Sequence, residues 1–185
     1  MEEIPNWYVI TGAPCSGKST TIQYLKKLGF YIVEEIAREI IVEELRKGKT
    51  IEEIRLNEKE FQREVLERKL DIEKRVPRDK VVFFDRGVED SLAYYELYGL
   101  DVNEVLEYCK VKRYRKIFLL EMLPYRKDGI RVEDESTAKR IEKLLEKWYR
   151  TLNYEIIFVP VAPVEERVRI ILSHVEKNLK PMKVS

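Results

Sequence analysis

Cysteine and histidine are nearly absent from this 185-residue sequence. Cys15 and Cys109 lie far apart with no CxxC pair, and the lone histidine, His174 on the last helical stretch, is read as solvated. These shortages argue against a disulfide framework and against a Cys/His zinc site. Neither sign of charge is in excess: 35 basic against 34 acidic side chains leave a formal net charge of +1. Such balance provides no footprint for nucleic acid or for an anionic membrane. No apolar run approaches the length of a bilayer span. The opening MEEIPNWYVIT is acidic and then strand-like, unlike a signal peptide, so the cytoplasm is the expected compartment. Glutamine occurs only at positions 23 and 62 while Glu, Lys and Arg abound, a composition associated with thermophiles.

What remains is ample for a core. Hydrophobic residues make up 44% of a chain of one-domain length, and residues 1–185 are expected to form a single domain. Continuous apolar runs at 7–11, 30–33, 81–85, 116–121 and 155–161 read as buried strands. Helical stretches separate them: one after residue 17, a charged region over 34–76 read as two helices broken near RKGKT, then 88–98, 102–112 and 136–152, and a last helix after Pro163. Strands that alternate with helices and carry no polar face predict an α/β fold, with a parallel sheet covered on both faces.

Seven glycines are few, yet two stand five residues apart in GAPCSGKST. The stretch fits GxxxxGK[ST] at every fixed position. The loop Gly12, Ala13, Pro14, Cys15, Ser16, Gly17, Lys18 and Ser19 follows an apolar strand and opens a helix, the context that a phosphate-binding loop requires. Lys18 is assigned to the β- and γ-phosphates and Ser19 to Mg²⁺; Cys15 is read as a small space-filler. Lys18 is expected outside the core, so that its removal spares the fold.

A metal-bound nucleotide needs a carboxylate, and VVFFDRG supplies Asp85 at a strand end, with Arg86 beside it for phosphate charge. The segment around 124–134 reads as a lid whose Arg126, Lys127 and Arg131 reach the phosphates. After the second strand, Glu35 and Arg38 are placed at the acceptor pocket, within a helical region spanning about 34–76. Gln62 joins them as a recognition amide. Phe61, Val65, Leu66 and Leu70 form an apolar stripe read as core. The guanine-reading NKxD and the DxxG of switch GTPases are absent. The reading is a Mg²⁺-dependent small-molecule kinase using ATP or GTP, with Lys18, Asp85, Arg86 and Arg131 carrying the chemistry. Two alternatives stay open: a slow regulatory NTPase, and a nucleoside monophosphate kinase using Arg38 and Arg63. Monomer and homodimer are equally compatible with the sequence.

The P-loop, VVEEIARE, FQREVLERKL, VVFFDRGVEDSLAYYELYG, LPYRKDGIR and FVPVAPVEERV occur in an order that resembles the small AAA-type P-loop ATPase/kinase family, which includes the ribosylnicotinamide kinase domain of the NadR regulator. The resemblance spans nearly the whole chain. It implies a five-stranded parallel sheet in the order 2-3-1-4-5, with ATP or GTP and Mg²⁺ as ligands. It adds Thr20 to the nucleotide site and makes Asp85–Arg86 the DR element of nucleoside kinases, the acid a metal partner or base and the arginine a phosphate ligand. It also makes Asp128 and Arg131 lid or acceptor residues. Ile36 replaces an aromatic residue of the riboside kinases, which weakens the case for nicotinamide riboside as the acceptor.

Overall fold

The computed structural model of the chain describes residues 3–124 and 134–175. Five strands, β1 (Trp7–Thr11), β2 (Tyr31–Val33), β3 (Val82–Asp85), β4 (Lys116–Leu120) and β5 (Ile156–Val159), pair in parallel in the order β2-β3-β1-β4-β5. Eight helices connect or flank them among the described residues: α1 (Lys18–Lys27), α2 (Ile36–Arg46), α3 (Ile51–Ile54), α4 (Glu58–Glu73), α5 (Asp90–Leu97), α6 (Asn103–Leu106), α7 (Glu135–Thr151) and α8 (Val164–Ser173).

The period-two alternation of a strand explains why its apolar runs are continuous. In β1, Trp7 and Val9 face a core shared with Phe84, Ile117, Tyr149 and Ile72, on the side of α4 and α7. Tyr8 and Ile10 face the opposite core, formed with Ile22 and Leu25 of α1 and Val168 and Ile171 of α8. Both faces of each central strand are therefore dry, and an alternating polar pattern has no place there. Chain order and sheet order reverse between β1 and β3. The crevice beyond their carboxyl ends is where open α/β sheets bind ligands.

Three segments differ from the sequence expectation. The region read as two helices holds three, because two caps start new helices: Thr50 forms a capping box with Glu53, and the Asn57 side chain accepts from the Glu60 amide. The helix expected over 102–112 stops at Leu106, where the Arg113 guanidinium takes the Tyr108 carbonyl that a longer helix would have used. His174, expected in solvent, is half-buried: its ring meets Phe118 edge-on at 6.4 Å, and Nδ1 lies 2.9 Å from the Ile170 carbonyl oxygen. Among the described residues no helix is long and apolar enough to cross a membrane.

Candidate active site

The loop that leaves β1 turns on two glycines. A Cβ on Gly12 would lie 2.7 Å from Ser16 Oγ and 2.8 Å from the Leu120 carbonyl oxygen, so no side chain fits. Gly17, with φ at 74°, sits in the left-handed region and caps α1. Cys15 adopts φ of 65° without glycine's freedom, a local strain held by the surrounding loop. The loop is clamped from behind by Arg167 of α8. Its guanidinium donates to the carbonyls of Ser16, of Pro160 at 2.9 Å and of Glu121 at 3.1 Å. α1 begins at Lys18, so its unpaired amides and positive dipole end face the crevice.

β3 places Asp85 opposite Ile10, and the Arg86 amide donates to the Ile10 carbonyl at 3.1 Å. Arg86 also has a left-handed backbone, with φ of 67°. Lys18 Nζ reaches Asp85 Oδ1 at 2.6 Å and Glu35 Oε2 at 3.1 Å, and Arg86 Nε donates to Glu35 Oε1 at 3.0 Å. Contrary to the expectation that Lys18 stays outside the core, it is 6% exposed: two carboxylates draw the ammonium inward. Burial pulls Glu35 upward, but the Lys18 ammonium and the Arg86 guanidinium outweigh it and hold the carboxyl well below its ordinary range. Asp85 moves the other way. Burial, with Glu35 nearby, raises it despite Lys18. Two acids of different basicity thus share one lysine.

Two concavities meet at this cluster. The larger, about 880 Å³, runs along Cys15, Gly17, Ser19, Thr20 and Asp85. The smaller, about 90 Å³, is lined by Ala13, Pro14, Ser16, Gln62, Lys69, Arg86 and Tyr94, among others. Lys18, Glu35 and Arg38 belong to both walls. Ser19 and Asp85 offer hard oxygen donors in the larger cleft, a set that fits Mg²⁺. Among the described residues no group of three or more His, Cys, Asp and Glu side chains forms a cation cage.

The sequence-selected residues from Gly12 to Thr20, together with Glu35, Arg38, Gln62, Asp85 and Arg86, are therefore brought together. Arg126, Lys127, Asp128 and Arg131 lie outside the described residues. Phe61 and Val65, read as core alone, are buried and also line the smaller cavity. Arg63 is not at the pocket; its guanidinium pairs with Glu104 at 3.3 Å on an exposed face. In its place stand Arg55 and Lys69, which the sequence reading passed over. Lys69 falls eight residues after Phe61 and four after Val65, on the same helix face. A lysine in register with an apolar stripe was the available signal.

Behind the site, Asp90 is fully buried and ties three elements together. Its carboxylate accepts from the Thr11 hydroxyl, the Gly87 amide (2.8 Å) and the Tyr149 hydroxyl. Glu89, next to it, accepts from the Tyr154 hydroxyl at 2.8 Å and lies 3.4 Å from Arg113 Nε, with Glu73 on the far side of the same guanidinium. Burial pushes Glu89 up to about 7, although Arg113 opposes the rise. A carboxyl raised in the folded state lends stability that is full below its unfolded value, near 4.5, and lost as pH rises through about 7. Glu89→Gln should therefore raise Tm at pH 8, with the gain shrinking at pH 5, in paired thermal melts.

A glycine-bent loop running into a helix N-terminus, across the switch point from a strand-end aspartate, defines a P-loop nucleotide-binding protein. The chain belongs to the AAA domain family, whose profile matches residues 7–167. Among solved structures it is similar to the NadR protein in complex with NR, with a TM-score of 0.68 at 14% identity over 97% of this chain. The match takes in 52% of NadR, so the chain spans about half that protein's length. It is also similar to deoxyadenosine kinase from M. mycoides with bound dCTP, at a TM-score of 0.61 and 17% identity, covering 90% of this chain and 97% of that one. Thymidylate kinase from Candida albicans gives a TM-score of 0.70 at 12% identity, covering 96% of this chain and 94% of that one. At such identities the likeness is one of fold. No curated protein sequence matches the chain.

Proposed function

We propose that the protein is a Mg²⁺-dependent kinase that transfers the γ-phosphoryl of ATP or GTP to a hydroxyl of a nucleoside-like or other small acceptor. The observation that carries this reading is the shared wall: the P-loop cleft and the smaller cavity meet at Lys18, Glu35 and Arg38. A donor phosphate in one and an acceptor hydroxyl in the other lie on either side of the same three side chains, as in-line transfer needs. The fold shared with the deoxyadenosine and thymidylate kinases supports the same chemistry.

With nucleotide bound, Lys18 exchanges Asp85 and Glu35 for the β- and γ-phosphates, keeping a charge partner throughout. Ser19 and Asp85 would hold Mg²⁺, directly or through water, and the ion would supply neutralisation of phosphate charge. Asp85 lines the donor cleft alone, whereas Glu35 also faces the acceptor cavity. Glu35 therefore orients the acceptor hydroxyl and takes its proton. Withdrawal of Lys18 toward the phosphates removes much of what holds Glu35 low, so its basicity rises when the nucleotide arrives. The acceptor oxygen forms its bond to the γ-phosphorus as the bond from that phosphorus to the β,γ-bridging oxygen breaks, and the diphosphate leaves with that oxygen. Arg86 stabilises charge on the moving phosphoryl group.

Incubation with γ-labelled ATP or GTP, Mg²⁺ and a panel of hydroxyl acceptors tests the reading. Label should appear on an acceptor, and removal of Mg²⁺ should stop the transfer. Label recovered only as inorganic phosphate would replace the kinase by a nucleotide-hydrolysing switch.

A further inference from the structure

The smaller cavity has a charge imbalance that a neutral acceptor leaves unresolved. Among the described residues five basic side chains line it, Lys18, Arg38, Arg55, Lys69 and Arg86, with one acid, Glu35; Lys18 also meets Asp85, and Arg86 lies 3.5 Å from Asp90. Glu35 is already shared by Lys18 and Arg86, and Arg55 is held by Glu58 at 2.8 Å. Lys69 is the member with no acid of its own. It is 8% exposed, and among the described residues no carboxylate pairs with it. Its Nζ donates to the Gly87 carbonyl at 2.8 Å and to Ser91 Oγ at 3.3 Å, both uncharged. An ammonium has three donors, and these contacts use two.

Two further polar atoms in the same cavity wall have hydrogen-bonding capacity to spare, although Arg86 Nη1 lies 3.5 Å from Asp90 Oδ1 as an ion pair. Ser16 Oγ and Arg86 Nη1 are buried and, among the described residues, accept or donate no hydrogen bond. Ser16 is 1% exposed and Arg86 7%. Buried polar groups are normally satisfied, and a buried cation is costly without an anion. Among the described residues, an unpaired ammonium, a hydroxyl without a hydrogen bond and a guanidinium nitrogen with only an ion-pair contact, all on one wall of a cavity of about 90 Å³, point to a ligand that completes them. Burial also lowers Lys69 below its ordinary range, against the pull of Asp90, and a bound anion acts in the opposite sense to that burial.

We infer that the acceptor carries an oxyanion of its own, a phosphate monoester or a carboxylate, which is bound by Lys69 with Ser16 and Arg86 at its edge. This rests on the kinase reading for the word acceptor, but the anion site itself is a matter of binding. The apolar remainder of the cavity, Ile41, Phe61 and Val65, then receives the uncharged part of the molecule.

The test measures equilibrium binding to the full chain, with the P-loop first saturated by a non-hydrolysable ATP analogue and Mg²⁺ so that no anion enters there. The probes are matched pairs: nucleosides against their 5′-monophosphates, ribose against ribose 5-phosphate, glycerol against glycerate, with inorganic phosphate and acetate as minimal anions. At least one anionic member should bind about tenfold or more tighter than its neutral counterpart, as expected for a charge-assisted contact. The phosphate and carboxylate arms tell which oxyanion is preferred. Lys69→Gln, which keeps a donor for Gly87, should abolish most of that preference; Lys69→Arg should retain it. Retained analogue binding and an unchanged melting profile show that each variant is folded. Equal binding of anionic and neutral members by the wild type overturns the inference, as does a preference that survives in Lys69→Gln. Phosphoryl transfer scored on the same compounds is a separate readout. Transfer to neutral acceptors alone sinks the anion site and leaves the kinase standing, whereas anion-selective binding without transfer does the reverse.

Discussion

Lys18→Ala is expected to lower kcat by about 10²–10³-fold, the cost of removing one preorganised donor from the charge that develops in transfer. It should also destabilise the fold, which the sequence pattern alone does not anticipate. Lys18 is buried, and its loss leaves Asp85 without its 2.6 Å partner while Glu35 keeps only Arg86. Stranding one member of a buried pair costs about 3–5 kcal/mol. The lower end applies here, because Asp85 is already raised and takes up a proton. That proton fixes the sign with pH. A carboxyl raised in the fold lends stability that is full below its unfolded value, near 3.8, and lost as pH rises through its folded value. The variant should therefore melt much closer to wild type at pH 5 than at pH 8. Equal melting temperatures for variant and wild type at both pH values would show that the lysine is not held as described.

Glu35→Gln should reduce kcat by about 10²–10⁴-fold, the range for loss of a positioned proton acceptor, while nucleotide affinity changes little. The pH dependence separates this role from a structural one. In the nucleotide-free protein Lys18 and Arg86 hold Glu35 well below its ordinary range, overcoming burial. The acid limb of kcat/KM, which reports the free enzyme, should therefore lie at low pH. The acid limb of kcat, which reports the complex, should lie higher, because Lys18 then serves the phosphates. Coincident limbs would assign the base elsewhere, with Asp85 the next candidate. Stability follows the opposite sign from the lysine variant. A depressed carboxyl lends stability above its unfolded value and loses it as pH falls through the folded one, so the Tm deficit of Glu35→Gln should be full at neutral pH and fade in acid.

How much of this was legible beforehand differs by element. The loop from Gly12 to Thr20 was readable because backbone geometry imposes residue types at fixed spacing: a Cβ at Gly12 collides with Ser16 Oγ and the Leu120 carbonyl oxygen, and Gly17 takes a left-handed φ. The sheet was readable because strands dry on both faces need continuous apolar runs. Asp85 was readable from its place at the end of such a run. Helix boundaries were less so. The caps at Thr50 and Asn57 are local signals that were passed over, whereas the stop at Leu106 involves the Arg113 side chain reaching back five residues to the Tyr108 carbonyl, a contact that helical periodicity does not announce.

The sequence by itself therefore determined that the chain folds as a P-loop α/β protein and which residues form the loop, since those demands act over neighbouring residues. Only the tertiary structure decided that Lys18 is buried between two acids, that Arg63 turns away from the pocket, and that Lys69 enters it without a carboxylate among the described residues. Charge balance in a cavity is summed over α2, α4, α5 and the loops after β1 and β3 at once, and linear spacing does not encode that sum.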